Sequence, residues 1–139
     1  MKKIMVFGTF DVLHPGHKWF LKNALEHGDY LIAVVSRDKF IQEWKKRSPV
    51  LNEQERINDL KKLGLADKVI PADPEMSTYG VIREYNPDII CLGHDQIELK
   101  NDLEKWLSAN PAYKPQIIVL PPWKREKYSS TQRNRKLQR

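Results

Sequence analysis

The sequence predicts an α/β fold in which parallel strands form one central sheet and helices cover it. Short apolar runs, such as residues 4–7 and 30–35, alternate with stretches whose apolar residues recur at helical spacing. Glycine and proline stand between these segments, where turns are required. A strand, a helix and a second strand so close in sequence form a βαβ unit, and the two strands of such a unit run parallel.

The first half of the chain is predicted to contain the centre of the sheet. Residues 2–7 form the first strand, and their almost wholly apolar run indicates a central position. A helix follows, with His17 in its first turn, and ends near Gly28, since glycine is a common helix stop. Residues 30–35 form a second buried strand, and residues 37–49 form a polar loop.

The second half is predicted to add three helices and three strands. Asn52 is suited to cap a helix, and Glu55 falls at the capping-box position three residues later. Gly64 ends that helix, because glycine tolerates the left-handed conformation that closes many helices. The predicted helices are 52–63, 78–85 and 97–110, and the predicted strands are 68–70, 88–92 and 116–120.

Length and composition are typical of a single domain over residues 1–139. No apolar run is long enough to span a membrane, and no signal peptide precedes the first strand. Cys91 is the one cysteine of the chain, which excludes an internal disulfide and predicts a reducing, cytoplasmic setting. Because Cys91 lies in an apolar run, we expect a buried small side chain rather than a nucleophile.

The positive charge of the chain is concentrated at its C-terminal end. The chain has 24 Lys and Arg residues against 18 Asp and Glu, and its formal net charge is +6. From residue 123 onward Glu126 is the sole acid among many basic residues, and this segment carries the whole excess. Proteins that bind nucleic acid usually spread basic residues over a face or a helix. The terminal cluster therefore favours a local phosphate site, and a non-catalytic nucleic-acid-binding module is the distant alternative.

The chemistry of the chain is predicted to centre on residues 8–17, Gly-Thr-Phe-Asp-Val-Leu-His-Pro-Gly-His. Gly8 leaves no side chain where the first strand ends, so a ligand can approach the backbone. Pro15 is well tolerated where a helix begins, and the unpaired N–H groups and dipole of that helix start form an anion site. His14 and His17 can each donate a hydrogen bond to a phosphoryl oxygen as charge builds up on it.

The same residues resemble a known superfamily, the nucleotidyltransferases marked by a His-x-Gly-His motif. The likeness is carried by Gly8-Thr9-Phe10-Asp11 and by His14-Pro15-Gly16-His17, and its closer members are cytidylyltransferases and archaeal FAD synthases. The resemblance implies a Rossmann-like three-layer sandwich around a five-stranded parallel sheet of order 3-2-1-4-5. It also implies in-line attack by an acceptor phosphate on the α-phosphate of a nucleoside triphosphate, with release of pyrophosphate.

Later segments extend the resemblance over nearly the whole chain. Gly93-His94-Asp95-Gln96 is similar to the Gly-Tyr-Asp-Gln of archaeal FAD synthases, with a histidine at the tyrosine position. The spacing of Lys45 and Arg47 resembles a Lys-x-Arg of the same enzymes, and a Ser-Ser/Thr-Thr motif is matched near the C-terminus. The resemblance implies catalytic roles for His14, His17 and Lys45, nucleotide contacts for Gly8, Thr9, Phe10, His14, His17, Gly93, Asp95, Ser129, Ser130 and Thr131, and phosphate or substrate contacts for Asp11, Lys45, Arg47, Arg56 and Lys124.

Several of these residues have simpler alternative roles. Arg56 can be an exposed i,i+4 partner on its own helix. Asp95 can cap the helix that follows it, and the hydroxyl groups at residues 129–131 are common helix caps.

The motifs favour AMP transfer from ATP to FMN, as in archaeal FAD synthases. A glycerol-3-phosphate or related cytidylyltransferase and a sugar-phosphate adenylyltransferase are the alternatives. No His/Cys/Asp set has zinc spacing, so no metal site is predicted on the protein itself. Mg²⁺ is expected on the nucleotide phosphates, with mostly water ligands. The expected partners are a nucleoside triphosphate and a phosphorylated acceptor, with no membrane and no nucleic acid, and a homodimer is one possible assembly.

Overall fold

A five-stranded sheet with helices around it forms the computed structural model of the chain, which describes residues 1–45 and 48–123. Its strands are β1 (Lys3–Gly8), β2 (Tyr30–Val35), β3 (Lys68–Pro71), β4 (Ile89–Leu92) and β5 (Gln116–Val119). Its helices are α1 (Pro15–Leu25), α2 (Asp38–Lys45), α3 (Glu53–Leu63), α4 (Gly80–Tyr85) and α5 (Ile97–Ala109). The strands run in the order β3-β2-β1-β4-β5, and every neighbouring pair is parallel. The predicted sheet order and the predicted βαβ unit are therefore confirmed.

The two faces of the sheet bury two separate apolar cores. Side chains alternate along a strand, so Ile4 and Val6 of β1 join one core, whereas Met5 and Phe7 join the other. Helices α1 and α3 complete the first core, and α4 and α5 complete the second. This arrangement of helices, sheet and helices is the Rossmann-like sandwich that the resemblance implies.

The start and end of α3 form as predicted. The side chain of Asn52 accepts the N–H of Glu55, and the side chain of Glu55 accepts the N–H of Asn52, both at 2.9 Å. These two bonds form the capping box. Gly64 follows the helix with φ 75°, in the left-handed region. The cap fixes the direction in which the preceding segment enters the helix, and that segment reaches the candidate site.

The predicted polar loop over 37–49 is wrong, because residues 38–45 form helix α2. Asp38 and Glu53, at the starts of α2 and α3, accept each other's backbone N–H groups at 3.1 and 3.0 Å. Ile41 turns into the protein and is buried. This apolar anchor and the paired helix starts outweigh the polar composition of the segment.

Two helix ends differ from the prediction by a few residues. Helix α1 ends at Leu25 rather than near Gly28, because the bonds from Glu26 onward reach back three residues instead of four. Helix α4 begins at Gly80 rather than at residue 78, because Tyr79 has φ 46° and cannot continue a right-handed helix. In the described part of the chain, no helix is both long enough and apolar enough to cross a membrane.

Candidate active site

A cleft of about 890 Å³ lies along the edge of the sheet where the strands end. Parallel strands direct their carboxyl ends to one edge, and open α/β sheets bind ligands there. The segments that follow all five strands contribute to its lining. One residue from each is Thr9, Ser36, Ala72, Gly93 and Pro121.

Most of the predicted site residues that the structure describes meet in this cleft. They are Gly8, Thr9, Phe10, Asp11, His14, His17, Gly93 and Asp95. The structure also describes Arg56, which does not line the cleft. Arg47, Lys124, Ser129, Ser130 and Thr131 lie outside the described residues, as does the side chain of Lys45.

The two motif histidines together cap the start of helix α1, and each imidazole accepts one backbone N–H. The N–H of Gly16 donates to His14 Nδ1 at 3.0 Å, and the N–H of His14 donates to His17 Nδ1 at 3.2 Å. His14 is the N-cap and His17 is the third residue of the helix, so imidazoles build the capping box that Ser and Glu usually build. The three-residue spacing of the two histidines is therefore the spacing that a capping box requires.

This cap also decides which ring nitrogen of each histidine can face a ligand. A backbone N–H donates to Nδ1 in both rings, so Nδ1 is an unprotonated acceptor and a neutral ring carries its proton on Nε2. The two ring centroids are 4.1 Å apart. Two Nε2–H donors thus lie side by side at the positive end of the α1 dipole, which suits phosphoryl oxygens.

His17 is held in its neutral form at neutral pH. Burial lowers its pKa from 6.5 to about 4, and repulsion from His14 acts in the same direction, whereas Asp11 opposes both. The ring of Phe10, itself 4% exposed, packs 5.8 Å from the His17 ring and contributes to this burial. A neutral imidazole keeps its Nε2–H donor without needing a permanent positive charge.

The turn between β1 and α1 is closely packed, and two glycines make this possible. A Cβ atom on Gly8 would come within 2.8 Å of the Phe10 ring. A Cβ atom on Gly16 would come within 2.7 Å of His14 Cε1 and 3.0 Å of Trp123 Cε3. The Trp123 ring lies 6.2 Å from the His14 ring and lines the same cleft. The chain therefore returns to the histidines immediately before its basic C-terminal segment.

Arg56 lies beneath this turn and has 0% exposure. Its guanidinium donates to Thr9 O at 2.7 Å and Leu51 O at 3.1 Å, and it pairs with Asp38 at 2.6 Å. The alternative of an exposed helix partner is therefore wrong. The expected direct phosphate contact does not agree with complete burial either, and Arg56 instead fixes the backbone of Thr9.

Asp11 connects the same turn to the start of α3. Its carboxylate accepts the N–H groups of Val50 and Leu51, both at 2.9 Å. The two residues precede the capped Asn52, so a motif residue and a helix cap hold one segment between them. A direct substrate contact by Asp11 stays a prediction beside this positioning role.

Gln96 is a site residue for which the sequence alone predicts no role. Its Oε1 accepts the N–H of Gly93, and its Nε2 donates to Phe7 O, both at 2.8 Å. The amide thereby joins the ends of β1 and β4 at the centre of the cleft. Gln96 also occupies the N-cap position of α5, so the alternative role of Asp95 as that cap is wrong.

The sequence reasoning missed the part of the cleft that is formed by loop 72–79, which follows β3. Ser77 and Tyr79 of this loop donate hydrogen bonds to Asp102 of α5, at 2.7 and 2.6 Å. All three residues line the cleft. The rule that ligands bind at the carboxyl ends of strands points to this loop, but no motif marks it.

Two further expectations concern reactive side chains and metals. Cys91 is buried, as predicted, and burial raises the pKa of its thiol to about 11, so it is a poor nucleophile. Among residues 1–45 and 48–123, no group of three or more His, Cys, Asp or Glu side chains could hold a metal ion. A Mg²⁺ ion carried by nucleotide phosphates needs no such group, because it keeps most of its water ligands.

This fold and this site define a nucleotidyltransferase: a Rossmann-like sheet whose central strand leads into paired histidines at a helix start. The chain belongs to the cytidylyltransferase-like family, whose profile matches residues 5–136.

The sequence of the chain is similar to those of proteins with a named activity. The chain is 43% identical over 110 residues to the FAD synthase of Thermococcus sibiricus, a match that covers 75% of this chain and 74% of the relative. It is 37% identical over 118 residues to the FAD synthase of Methanococcoides burtonii, covering 85% and 80%. The resemblance to archaeal FAD synthases is thus confirmed over most of the chain.

The fold is also similar to that of solved structures. The lipopolysaccharide core biosynthesis protein from Thermoplasma volcanium superposes with a TM-score of 0.76 at 28% identity, covering 89% of this chain and 99% of that protein. The Rossmann-like architecture is thereby supported independently of the motif.

Proposed function

We propose that this enzyme transfers AMP from ATP to FMN, forming FAD and pyrophosphate. The observation that carries the proposal is the pair of Nε2–H donors that the histidine capping box fixes at the start of α1. The FAD synthase relatives, at 43% and 37% identity, supply the choice of substrates.

The proposed reaction is a single displacement at the α-phosphorus of ATP. A phosphate oxygen of FMN forms the new P–O bond, and the bond from the α-phosphorus to the β-phosphate bridging oxygen breaks with pyrophosphate as the leaving group. No general base is needed, because the attacking phosphate is already an anion at neutral pH. The protein contributes positioning and charge stabilisation.

The described residues have distinct tasks in this scheme. His14 and His17 donate to oxygens of the α-phosphate or of the leaving pyrophosphate. Thr9 and Phe10 present backbone groups to the nucleotide at the end of β1, where Arg56 fixes Thr9. Gly8 contributes to this turn by leaving room for the Phe10 ring, which packs where a Cβ atom would lie. Gly93 and Asp95 contact the nucleotide from the end of β4.

The basic residues before α3 and after residue 123 are proposed to bind the outer phosphates. They are Lys45, Arg47 and Lys124, together with the hydroxyl groups of Ser129, Ser130 and Thr131. The packing of Trp123 near His14 supports this role for the residues that follow it. Mg²⁺ bound to the phosphates would neutralise charge on the leaving group.

A substrate panel tests the proposal. The enzyme is incubated with ATP or CTP and with FMN, glycerol 3-phosphate or phosphoethanolamine, and pyrophosphate release is measured. We expect pyrophosphate with ATP and FMN together, with FAD detected chromatographically in equal amount, and none when FMN is left out. Pyrophosphate release with CTP and an acceptor, but not with ATP, would contradict the proposal in favour of a cytidylyltransferase. Salt-sensitive binding to nucleic acid without turnover of any nucleotide would contradict the whole enzymatic assignment.

A homodimer is one possible assembly by resemblance, and the cysteine content predicts a cytoplasmic location. Analytical ultracentrifugation of the full chain measures the first, and cell fractionation measures the second.

A further inference from the structure

The two imidazoles at the start of α1 have different surroundings. The His17 ring packs 5.8 Å from the ring of Phe10, a buried residue of the same turn. His14 is exposed, and its Nδ1 accepts the N–H of Gly16. A small rotation about that hydrogen bond would move Nε2, the atom that faces a ligand. The motif therefore supplies both donors, but the direction of the His14 donor depends on what packs beside its ring.

Trp123 reaches the His14 ring from the far end of the described chain. The two ring centroids are 6.2 Å apart and the ring planes differ by 32°, a separation within the range of roughly 4.5–7 Å that aromatic pairs adopt. A Cβ atom on Gly16 would meet His14 Cε1 at 2.7 Å and Trp123 Cε3 at 3.0 Å, so both rings lie over the first turn of α1. The indole is partly buried and lines the cleft. It thus limits the space in which the imidazole can turn.

The chain brings Trp123 to this position along a short, stiff segment. After β5, the N–H of Leu120 donates to Leu92 O at 2.8 Å, and the Leu120 side chain is buried in the core that α1 covers. Pro121 and Pro122 follow and are exposed. Each proline fixes its own φ and disfavours a helical conformation in the residue before it. The indole is therefore held by a buried residue three positions earlier and by a segment with few conformations.

Two other roles for Trp123 agree less well with its contacts. A residue that only completes the fold would belong to one of the two apolar cores, but Trp123 packs outside both. A platform for the base of a nucleotide would lie away from the phosphate donors, because the ribose separates the base from the α-phosphate. Trp123 instead lies beside such a donor. Its apolar ring also excludes water there, which strengthens hydrogen bonds to developing charge.

We propose that Trp123 is a positioning residue for nucleotidyl transfer: by packing beside His14, it fixes the direction of the His14 Nε2–H donor. The indole acts through the imidazole and does not touch the reacting atoms. This inference rests on the donor role of His14 in the proposed function, and it does not depend on which acceptor the enzyme uses.

Trp123→Leu tests the inference, and Tyr113→Leu is the matched control. Tyr113 is also partly buried and packs against an aromatic ring, that of Trp106, at 5.8 Å and 37°, but it does not line the cleft. FAD formation by each full-length variant gives kcat and the KM values for ATP and FMN. We expect Trp123→Leu to lower kcat about tenfold with the KM for ATP within about twofold of wild type, because a misdirected donor weakens transition-state stabilisation more than binding. Trp123→Phe keeps a ring and should recover most of this loss, and Tyr113→Leu should match wild type.

Two further measurements show whether Trp123 acts through His14. In the His14→Ala background, Trp123→Leu should lower kcat by less than about twofold more, because the ring that Trp123 orients is then absent. In the free enzyme, the NMR resonance of the His14 Cε1 proton should move in Trp123→Leu, since it loses the ring-current shift of the nearby indole. The corresponding resonance of His27, beyond the other end of α1, should stay in place. The NMR measurement needs no substrate.

These results separate the inference from the function on which it rests. Wild-type enzyme that forms no FAD from ATP and FMN would contradict the proposed function, and the variants would then be compared with the substrate pair that releases pyrophosphate. Wild-type kcat in Trp123→Leu would overturn the inference, and so would a tenfold further loss in the His14→Ala background. A higher KM for ATP at unchanged kcat would overturn it too, because Trp123 would then be a nucleotide contact. If Trp123→Leu does not fold, Trp123→Met decides on the same criteria, since it is flexible enough to fill the space and likewise lacks a ring.

Discussion

The two ends of the cleft are built in different ways. At the histidine end, the deciding contacts join residues two or three apart, from Gly16 to His14 and from His14 to His17. At the other end, Ser77 and Tyr79 of loop 72–79 donate to Asp102 of α5, which is 25 and 23 residues away in sequence. One end is therefore specified by a short stretch of sequence, and the other exists only once the chain has folded.

The difference corresponds to two requirements of the proposed reaction. Phosphate groups need donors at a helix start, and a local motif supplies them whatever the rest of the chain does. The ring of an acceptor needs a chamber of defined shape, which side chains from several elements must enclose. The following predictions test how independent the two ends of the cleft are.

The largest expected effect is at the histidine end. His17→Ala should lower turnover by about 100-fold or more, as for the loss of one preorganised donor to developing charge. Turnover is measured as FAD formation at saturating ATP and FMN, and nucleotide binding is measured separately. His27→Ala is the control, because His27 follows the last turn of α1 and does not line the cleft. Normal turnover in His17→Ala with normal nucleotide binding would show that the motif serves the helix cap alone.

A smaller effect distinguishes two glycines by what surrounds them. The Cβ atom of Gly16→Ala would lie 2.7 Å from His14 Cε1, so the ring must move, and we expect about a tenfold loss of turnover. Because that ring caps α1, stability should also fall by about 1 kcal/mol. Gly64→Ala has open space around its Cβ but must adopt φ 75°, which costs roughly 1–2 kcal/mol of stability and leaves turnover unchanged. Turnover and urea unfolding should therefore show that both variants lose stability and that Gly16→Ala alone loses turnover. Equal losses of activity would mean that Gly16 matters only for folding.

The features of the fold that could be predicted are those with local causes. Strand positions and the sheet order follow from apolar runs and from the resemblance, and the α3 cap follows from Asn52 and Glu55. The histidine pair and its helix start can be predicted together, because Pro15 and the glycines of the turn lie within the same ten residues. In each case the residues that decide the structure are neighbours in sequence.

The features that escaped prediction depend on distant partners. Helix α2 looks polar in isolation, and it forms because Asp38 pairs with the start of α3 while Ile41 is buried. Arg56 resembles a phosphate ligand until Thr9, 47 residues away, is seen to accept its hydrogen bond. The hydrogen bonds from Ser77 and Tyr79 to Asp102 also join residues that are distant in sequence. Contacts of this kind are the part of the site that a motif cannot predict.

The last prediction uses pH to act on one end of the cleft. Burial favours the neutral form of both His17 and Tyr79, so it lowers the pKa of the histidine to about 4 and raises that of the tyrosine. Unfolded His17 takes up a proton near pH 6.5, but the folded form does so near pH 4, so the unfolded chain binds more protons between these values. His17 therefore contributes stability in full above pH 6.5, and this contribution is lost as the pH falls towards 4.

Urea unfolding of wild type and His17→Gln across this range measures the effect. The difference in unfolding free energy between the two proteins should be constant above pH 6.5 and should move against the wild type as the pH falls towards 4. Glutamine does not titrate, so the acid dependence of the remaining groups cancels in the comparison. Protonation of Nδ1 would also remove the acceptor for the His14 N–H, so the α1 cap should open in the same window. A difference that stays flat from pH 6.5 to 4 would mean that the imidazole is not held in a neutral, capping state, and the two donors could then not be assigned to Nε2.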